Sequence, residues 1–524
     1  MKKIIIPIVV VIYFLTGVTL NAQTLYDANR LMESNLNGTA RFVSMGGAMG
    51  ALGGDISTIG TNPAGIGIYR SNEAMFSFGF VNTGSQSAFN NTTTDTDNSH
   101  GSFDNIGFVL SNKIGNLTPL KYMNIGFNYH KLKSFNKNMA TRGHISVSQT
   151  QQFTSMVNNS SDYGEILSPK DLMDKAAFQW SDIPWLGAMA YEANLIMFDG
   201  NQYRPYLLDN NIVFNEYSSE EMGGVDSYDI NMSFNLYNRL YLGATLGAYG
   251  VDYTRHSSYT ETFLINNKND GNYTLTNDYS LEGSGIDFKL GFIVRPIESS
   301  SLRIGAAIHT PTWYQLKENH FARLNYKSYI GEKEYITGET YPQSENGREM
   351  EGETEYRITT PWKYNVSLGY TIGRNIAVGV EYEYSDHSIG TLRYDDGVKM
   401  DEETNAIKEG LKEVHTIRAG AECKLTPEFS FRLGYNRITA STYTDTFKSL
   451  PINAIRTDTE FFNGKATNNY TFGFGYRGES LYVDMAYLYN SYQEDFYAFD
   501  HIDLPPTEVT TDNHKIMFTL GVRF

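Results

Sequence analysis

The sequence predicts an all-β protein, a transmembrane antiparallel β-barrel of about 14 strands with an N-terminal plug inside its lumen. Three observations predict this fold. The chain begins with a charged and then apolar segment, it contains 38 Tyr and 30 Phe, and residues 72–524 form a long series of two-faced segments. No later stretch is long and apolar enough for a transmembrane helix, so the strands must carry the membrane signal.

Residues 1–22 are expected to be a signal peptide. Lys2 and Lys3 precede an apolar run at residues 4–15, which is shorter than the roughly 20 residues of a spanning helix. Ala22 places a small residue at the expected cleavage site. The chain has one cysteine, which excludes an internal disulfide. The mature protein is therefore expected in the outer membrane of a Gram-negative bacterium.

Alternation with a period of two is the strongest signal in the sequence. In the last ten residues, apolar side chains occupy positions 516, 518, 520, 522 and 524, with mostly small or polar residues between them. In a soluble sandwich the apolar face would form the core, whereas in a membrane barrel it meets lipid. The polar faces of the strands contain glycine together with charged residues, and aromatic residues such as Tyr382 and Tyr384 lie near strand ends. Both features favour the barrel.

About fourteen such segments can be counted, an even number as in bacterial barrels. Short and long connections alternate, which places the short turns and both ends of the barrel in the periplasm. The expected plug is residues 23–71, the barrel is residues 72–524, and its longest extracellular loop is residues 135–223. The expected strands are 72–82, 103–113, 121–134, 224–236, 239–253, 280–294, 301–312, 353–371, 374–388, 412–426, 428–441, 467–478, 479–493 and 512–524.

The same alternation predicts the orientation of the single cysteine. Cys423 shares a face with Ile417 and Leu425 and should point to lipid. Arg418, Glu422 and Lys424 should point into the lumen.

The loop at 135–223 is unusually apolar and contains the candidate residues for hydrophobic-ligand capture. Ser168 and Pro169 predict the start of a helix there. One interpretation is an apolar groove on the cell surface, and the other is local packing that folds the loop over the barrel mouth. The two are compatible, because a folded lid can also present a groove. The candidate residues are Phe178, Trp180, Trp185, Leu186 and Met189.

No catalytic residue, cofactor site or metal site is predicted. The 10 histidines are scattered, and the chain has neither a paired histidine motif nor a nucleophile elbow. Glu381 and Glu383 alternate inward on one strand, where Arg418 can neutralise them. The formal charge of −17 argues against a nucleic-acid partner. We therefore expect a protein that is not an enzyme.

A Gly-rich segment at 46–67 precedes the first strand and ends in the plug motif Asn62, Pro63, Ala64 and Gly65. On this motif and on its layout, the chain resembles the FadL/TodX family of outer-membrane channels for long-chain fatty acids and other hydrophobic compounds. The resemblance extends over essentially the whole mature chain, and the plug motif is its most specific part.

The resemblance implies passive uptake with lateral release. A ligand would land in the outer groove, pass a pocket and leave sideways through a gap in the barrel wall when the plug shifts. The gap would lie where the third strand kinks, near residues 124–128, with Gly126 permitting the bend. The expected partners are outer-membrane lipid, a hydrophobic small-molecule ligand and the barrel-assembly machinery, which would recognise Phe524. The protein is expected to be a monomer without a cofactor.

Two other functions stay open. A FadL-like barrel can serve as a carrier or anchor in a surface-protein secretion system, and haem capture is a third hypothesis for which the sequence has no ligand motif. An apolar lumen above the plug would favour the channel. A wholly polar and blocked lumen would favour the assembly role. The long acidic loops between the seventh and tenth strands depart from the pattern of a fatty-acid channel.

Overall fold

The structure is a computed structural model that describes residues 23–159, 166–174, 177–179, 183–206, 212–265, 268–330, 334–450 and 454–524. The expected signal peptide, its cleavage site near Ala22 and the candidate residue Trp180 lie outside this part of the chain. Within it, no helix is both long and apolar enough to span a bilayer.

The described residues contain twenty-two strands, which we label in chain order. They are β1 (Glu73–Phe89), β2 (Thr92–Lys113), β3 (Leu120–Ser134), β4 (Lys137–Ile145), β5 (Ile196–Phe198), β6 (Tyr203–Pro205), β7 (Ile212–Leu236), β8 (Leu240–Ile265), β9 (Lys268–Val294), β10 (Arg303–His309), β11 (Trp313–Ile330), β12 (Glu334–Thr340), β13 (Gly352–Thr359), β14 (Lys363–Ile372), β15 (Ile376–Asp386), β16 (Thr391–Tyr394), β17 (Glu413–Lys424), β18 (Phe429–Ile438), β19 (Phe461–Gly464), β20 (Thr467–Arg477), β21 (Leu481–Tyr497) and β22 (Thr507–Arg523).

Fourteen of these strands form a closed antiparallel wall, which confirms the predicted barrel. The order around the wall is β1, β2, β3, β7, β8, β9, β10, β14, β15, β17, β18, β20, β21 and β22, and β22 pairs with β1. Most of the remaining strands lengthen the wall on the side of the long loops. β5 and β6 form a separate two-stranded sheet in the longest loop.

Several strands are longer than predicted. β7, β8 and β9 contain 25, 26 and 27 residues, whereas a strand needs only about 9–11 residues to cross the hydrocarbon. β4 and the first half of β7 occupy part of the predicted loop at 135–223. The wall therefore continues well beyond the membrane on the extracellular side.

The outer surface of the wall is apolar and the inner surface is polar. Large outward side chains such as Phe288, Leu368 and Phe472 are exposed, whereas inward Asn231 and Glu381 are buried. In water this arrangement would be inside out, so the apolar band must face lipid. In β17, Ile417 is exposed while Arg418 and Glu422 are buried, which confirms the predicted alternation for these three residues. Lys424, also predicted to face the lumen, is exposed at the end of the strand.

The helices belong to the plug and the extracellular loops. They are α1 (Leu25–Met32), α2 (Ala40–Ser44), α3 (Gln149–Asn158), α4 (Pro169–Leu172), α5 (Trp185–Glu192) and α6 (Asp401–Gly410), with short 3-10 helices at Ile56–Gly60, Pro63–Ile68, Ala177–Gln179 and His387–Ile389. Ser168 caps α4 and Pro169 is its first residue, as predicted.

Candidate functional site

The plug motif lies against the inner wall at β7, β8 and β9. Asn62 caps the 3-10 helix Pro63–Ile68, because its Oδ1 accepts a hydrogen bond from the Ala64 amide at 3.1 Å. Its Nδ2 donates to the Phe292 carbonyl of β9, also at 3.1 Å. The Pro63 carbonyl accepts from Asn231 Nδ2 at 3.3 Å. The Asn side chain thus shapes the turn and attaches it to the wall at the same time.

Wall glycines let the plug backbone approach this closely. A Cβ at Gly291 would lie 2.1 Å from Oδ1 of Asn62, and one at Gly243 would lie 2.4 Å from the Pro63 carbonyl. Gly65 lies inside the plug, where its carbonyl accepts from the Gly54 amide at 3.0 Å. Small residues on both sides of the interface therefore determine how tightly the plug fits.

A second set of contacts holds the plug to the opposite part of the wall. Gly50 donates its amide to Glu381 Oε2 at 2.9 Å. Arg418 Nη1 lies 2.7 Å from Glu381 and 3.1 Å from Glu383. Arg41 of α2 donates to Glu422 at 2.9 Å. Arg418 thus neutralises both inward carboxylates of β15, and Glu381 is also bound to the plug, which is a structural role.

A cavity of about 650 Å³ lies above the plug. Its lining is mixed, neither the apolar lumen that would favour a channel nor the wholly polar lumen that would favour an assembly role. Its wall contains charged residues together with large apolar ones. Among these are Asp287, Lys289, Lys363, Arg418, Leu31, Leu132, Phe135 and Phe461.

The barrel wall is broken between β2 and β3. The ladder between these strands begins at the pair Asn105–His130 and continues to the periplasmic end. Above that pair, β2 forms a strand ladder with β1 alone and β3 with β7 alone among the described strands. The β3–β7 register shifts between Lys131 and Lys133, so β3 bends away from β2 there. The result is an opening in the wall, lined by residues that also line the cavity.

Part of the plug fills this break. We call residues 33–37 the closing segment. Asn35 donates its amide to the Leu132 carbonyl at 3.0 Å, and its Oδ1 accepts from the Ser134 amide at 2.9 Å. Asn37 donates Nδ2 to the Lys131 carbonyl at 2.9 Å. The closing segment therefore satisfies the strand edge that the missing ladder leaves open.

An ion pair fixes the closing segment from the other edge of the break. Lys515 of β22 lies 2.5 Å from Asp104 of β2, and it also donates to Asn37 Oδ1 at 3.0 Å. Asp104 is the extra residue in β2 where the register with β1 shifts, and it is fully buried. Above the segment, Thr96 Oγ1 donates to the Asn138 carbonyl at 2.8 Å and ends the break.

The break in the wall does not lie at Gly126, the position that the sequence suggested for a kink. Gly126 pairs with Val109 on one side and Asn231 on the other, in a ladder without interruption. A Cβ at this position would lie 3.4 Å from Ile59 of the plug. That distance is an ordinary van der Waals contact, so the plug does not require a glycine here, and the bend occurs further along β3, between Lys131 and Lys133.

The predicted capture residues do not form an exposed groove. Phe178 is 6% exposed, Trp185 is 2% exposed, and Leu186 and Met189 are completely buried. Trp185 Nε1 donates to the Phe178 carbonyl at 2.9 Å. These side chains form the core of a folded lid over the barrel mouth. The reason is the composition of α5, whose residues 185–190 are apolar on all sides of the helix and are all buried.

The lid is attached to the barrel by buried polar contacts. Glu261 at the extracellular end of β8 accepts hydrogen bonds from Ser148 Oγ at 2.5 Å and from the Gln149 amide at 2.7 Å, at the start of α3. Burial raises the pKa of Glu261 to about 7, although these hydrogen bonds oppose the shift. The Trp185 amide donates to the Ala454 carbonyl at 3.2 Å.

Residues 454–460 cross beneath the lid, and sequence reasoning missed their role. Asp458 lies 2.7 Å from Arg456 and 2.9 Å from Lys448, and Arg456 also forms an ion pair with Asp27 of α1. Burial lowers the pKa of Lys448 to about 8. Burial alone would raise the pKa of Asp27, but Arg456 and Arg30 hold it below its usual value. This network ties α1 to the lid.

The comparisons with known proteins show the fold. No protein-family model and no curated protein sequence matches the chain. Among solved structures, a FadL homologue from Pseudomonas aeruginosa aligns with 94% of this chain and 99% of its own, at 12% identity and a TM-score of 0.53. The chain has the FadL fold.

Two further solved structures align over the same extent. The Pseudomonas putida toluene transporter TodX covers 93% of this chain and 99% of its own, at 11% identity and a TM-score of 0.46. CymD, a monoaromatic hydrocarbon channel, covers 94% and 99% at 11% identity and a TM-score of 0.47.

Proposed function

We propose that this protein is an outer-membrane channel for the passive uptake of hydrophobic or amphipathic small molecules, such as long-chain fatty acids, and that it is not an enzyme. The observation that carries the proposal is the break between β2 and β3. Residues that line the cavity also line this break, and within the described residues the closing segment is what fills it. A molecule in the cavity needs only the closing segment to move in order to reach the lipid.

Lateral release suits a ligand with a long apolar chain. The plug below the cavity presents polar groups and tight glycine contacts, so an axial route would expose the chain to water. Through the break, each methylene moves from the cavity to lipid without contact with water. Most of the favourable free energy of its burial, roughly 0.8 kcal/mol, is therefore retained. Aromatic Phe103 and Tyr129 stack at 5.5 Å between ring centroids on the outer wall just below the break, where they offer the chain an apolar exit.

The expected partners follow from this role. Outer-membrane lipid receives the ligand, and the apolar band of the wall is in contact with it. The exposed C-terminal Phe524 is the residue that the barrel-assembly machinery would recognise. The barrel closes on itself, so a monomer suffices for the proposed function.

A disulfide that locks the closing segment tests the proposal. Asn35→Cys and Leu132→Cys are introduced together in a Cys423→Ser background, because their backbones are hydrogen-bonded neighbours within reach of a disulfide. Cells that carry the oxidised variant should take up a long-chain fatty acid far more slowly than the same cells after reduction. The matched control is Leu110→Cys with Ile125→Cys, a pair within the continuous β2–β3 ladder.

The outcome separates this function from the main alternative. If the locked and the reduced protein transport the fatty acid equally, release through the break is refuted. The role of carrier or anchor in a secretion system is favoured by one observation, the folded lid that covers the mouth. The secretion-system role would become the better-supported function if neither the oxidised nor the reduced protein transported or bound an amphiphile. A heat-modifiability gel would have to show that the barrel is intact.

A further inference from the structure

The lipid-facing side of the wall carries the same three-residue cluster twice. In each copy, two tyrosines separated by one residue lie on one strand, and a histidine lies on the next strand of the wall. One tyrosine hydroxyl contacts the histidine Nδ1, at 2.7 Å in one copy and 2.8 Å in the other. The second tyrosine ring lies against the imidazole, at 5.5 and 5.1 Å between centroids. We call them the β15–β17 cluster, which is Tyr382, Tyr384 and His415, and the β21–β22 cluster, which is Tyr487, Tyr489 and His514.

Both clusters lie at the extracellular edge of the apolar band. From His514 to its periplasmic end at Arg523, β22 contains ten residues. From His415 to Lys424, β17 also contains ten residues. A tilted strand needs about 9–11 residues to cross the hydrocarbon. The two histidines therefore lie where the acyl chains of the outer leaflet end and the lipid head groups begin.

The β21–β22 cluster keeps one hydrogen-bond donor for a molecule outside the protein. A neutral imidazole carries one ring proton, and a tyrosine carries one hydroxyl proton. Their mutual contact uses only one of these protons, whichever group donates. Within the described residues, the side chains of Tyr487 and His514 make no other hydrogen bond, and His514 is exposed. The second proton is thus available to an acceptor at the membrane surface.

The same cluster borders a groove of about 530 Å³ on the outside of the wall. The groove opens to lipid, because Leu433 and Tyr470 on its sides are half exposed. It includes no residue of the β15–β17 cluster. Two neighbouring rows of the strand ladder line it, the upper row being Tyr470, Tyr489 and His514 and the row nearer to the periplasm being Leu433, Phe472 and Tyr487.

We propose that this groove binds one acyl chain of an outer-leaflet lipid, and that the ester carbonyl of the lipid accepts a hydrogen bond from the β21–β22 cluster. The location selects the occupant, because the groove opens to hydrocarbon and is lined by large apolar and aromatic side chains. The ester carbonyl is the first acceptor above the chain. A phosphate fits less well, since Asp512 accepts from Tyr489 at 2.8 Å beside the histidine and repels a second anion. The site lies outside the barrel and is independent of the channel proposed above.

The test uses two phosphatidylcholines with the same chains, one ester-linked and one ether-linked, because only the ester lipid has the carbonyl. Full-length protein in a neutral detergent is titrated with each lipid, and native mass spectrometry counts the bound molecules. Wild-type protein should bind one ester lipid about tenfold more tightly than the ether lipid, which corresponds to about 1.4 kcal/mol. His514→Phe should lose this preference, whereas His514→Gln, which retains a donor, should keep it. His415→Phe is the matched control and should leave the preference unchanged.

A second pair of variants tests the groove itself. Leu433→Trp fills it and should lower the affinity for both lipids equally. Leu368→Trp is the control, because Leu368 is an equally exposed lipid-facing residue of β14, outside the groove. Both substitutions face lipid, so a heat-modifiability gel should show an intact barrel.

Each result decides a different point. Equal wild-type affinities for the ester and ether lipids, or a preference that survives His514→Phe, overturn the hydrogen bond to the carbonyl. Loss of the preference in His415→Phe as well would show a general property of the aromatic edge and overturn the specific site. Affinities that Leu433→Trp leaves unchanged overturn the groove as the binding place. If His514→Phe does not give a heat-modifiable barrel, the comparison of Leu433→Trp with Leu368→Trp decides.

Discussion

Replacing Gly243 of β8 by alanine is expected to loosen the plug without unfolding the barrel. The added Cβ would lie 2.4 Å from the backbone of Pro63, whereas ordinary contacts begin at 3.4 Å. The obstacle is backbone, so the plug motif must move by about 1 Å, and overpacking of this kind costs about 1–3 kcal/mol. Alanine fits the backbone pairing of β8, so this free-energy cost weakens the contact between the plug and the wall rather than the wall itself. The ratio of detached to seated plug should rise by about 5- to 150-fold.

Hydrogen–deuterium exchange measures this ratio directly, because amides of the 3-10 helix Pro63–Ile68 exchange when the plug detaches. The matched control is Gly250→Ala on the same strand, where an added Cβ meets nothing within 4 Å. Plug amides should exchange faster in Gly243→Ala than in Gly250→Ala, while the wall amides of both variants match the wild type. Equal exchange of the plug amides in the two variants would refute the idea that this glycine contact seats the plug.

Three further outcomes are expected. Trp185→Ala should destabilise the lid by about 3–5 kcal/mol, seen as faster proteolysis of the loops with an intact barrel, because Trp185 is buried in the lid core. The pKa of Glu261 is raised from 4.5 to about 7, so the lid should be most resistant to protease below pH 4.5 and lose resistance as the pH rises through 7. Glu261→Gln should remove this dependence. Deletion of residues 46–67 should raise solute leakage through an intact barrel, and unchanged conductance would show that the plug does not close the pore.

The barrel could be predicted because lipid and lumen impose a period of two on every crossing strand. The alternation around Cys423 placed Ile417 outside and Arg418 inside, and burial in the structure agrees. The strand ends could not be predicted in the same way. Beyond the membrane, the outer face of β8 and β9 is polar, while Tyr259, Phe263 and Tyr273 on the inner face pack into the lid core. The apolar outward face that marks a membrane strand is therefore missing from these residues in the sequence.

The break in the wall could not be predicted, because it depends on residues far apart in the chain. Gly126 suggested a bend, but it lies in a continuous ladder between Val109 and Asn231. Nothing local marks Asn35 or Asn37 as partners of β3, which is about a hundred residues further on. The burial of the lid core could have been predicted from the sequence, because α5 has no polar face. A helix with one side exposed at a surface groove normally has polar residues on that side.

Three consecutive parts of the plug contact different parts of the barrel. Because these parts are joined in sequence, a ligand that moves one of them could open the wall at another. α1 lies beside the cavity, the closing segment fills the break, and the plug motif forms the cavity floor. Residues 33–37 follow α1 directly, so a displacement of α1 by the ligand must pull on the closing segment. It makes four hydrogen bonds to β3, and one of them joins the charged groups of Lys133 and Glu33. The three neutral bonds are worth about 0.5–1.5 kcal/mol each and the charged one about 1.5–3 kcal/mol, or roughly 3–8 kcal/mol together. Burial of about ten methylenes at about 0.8 kcal/mol each would offset that cost, so the proposed release requires a long-chain amphiphile rather than a short one.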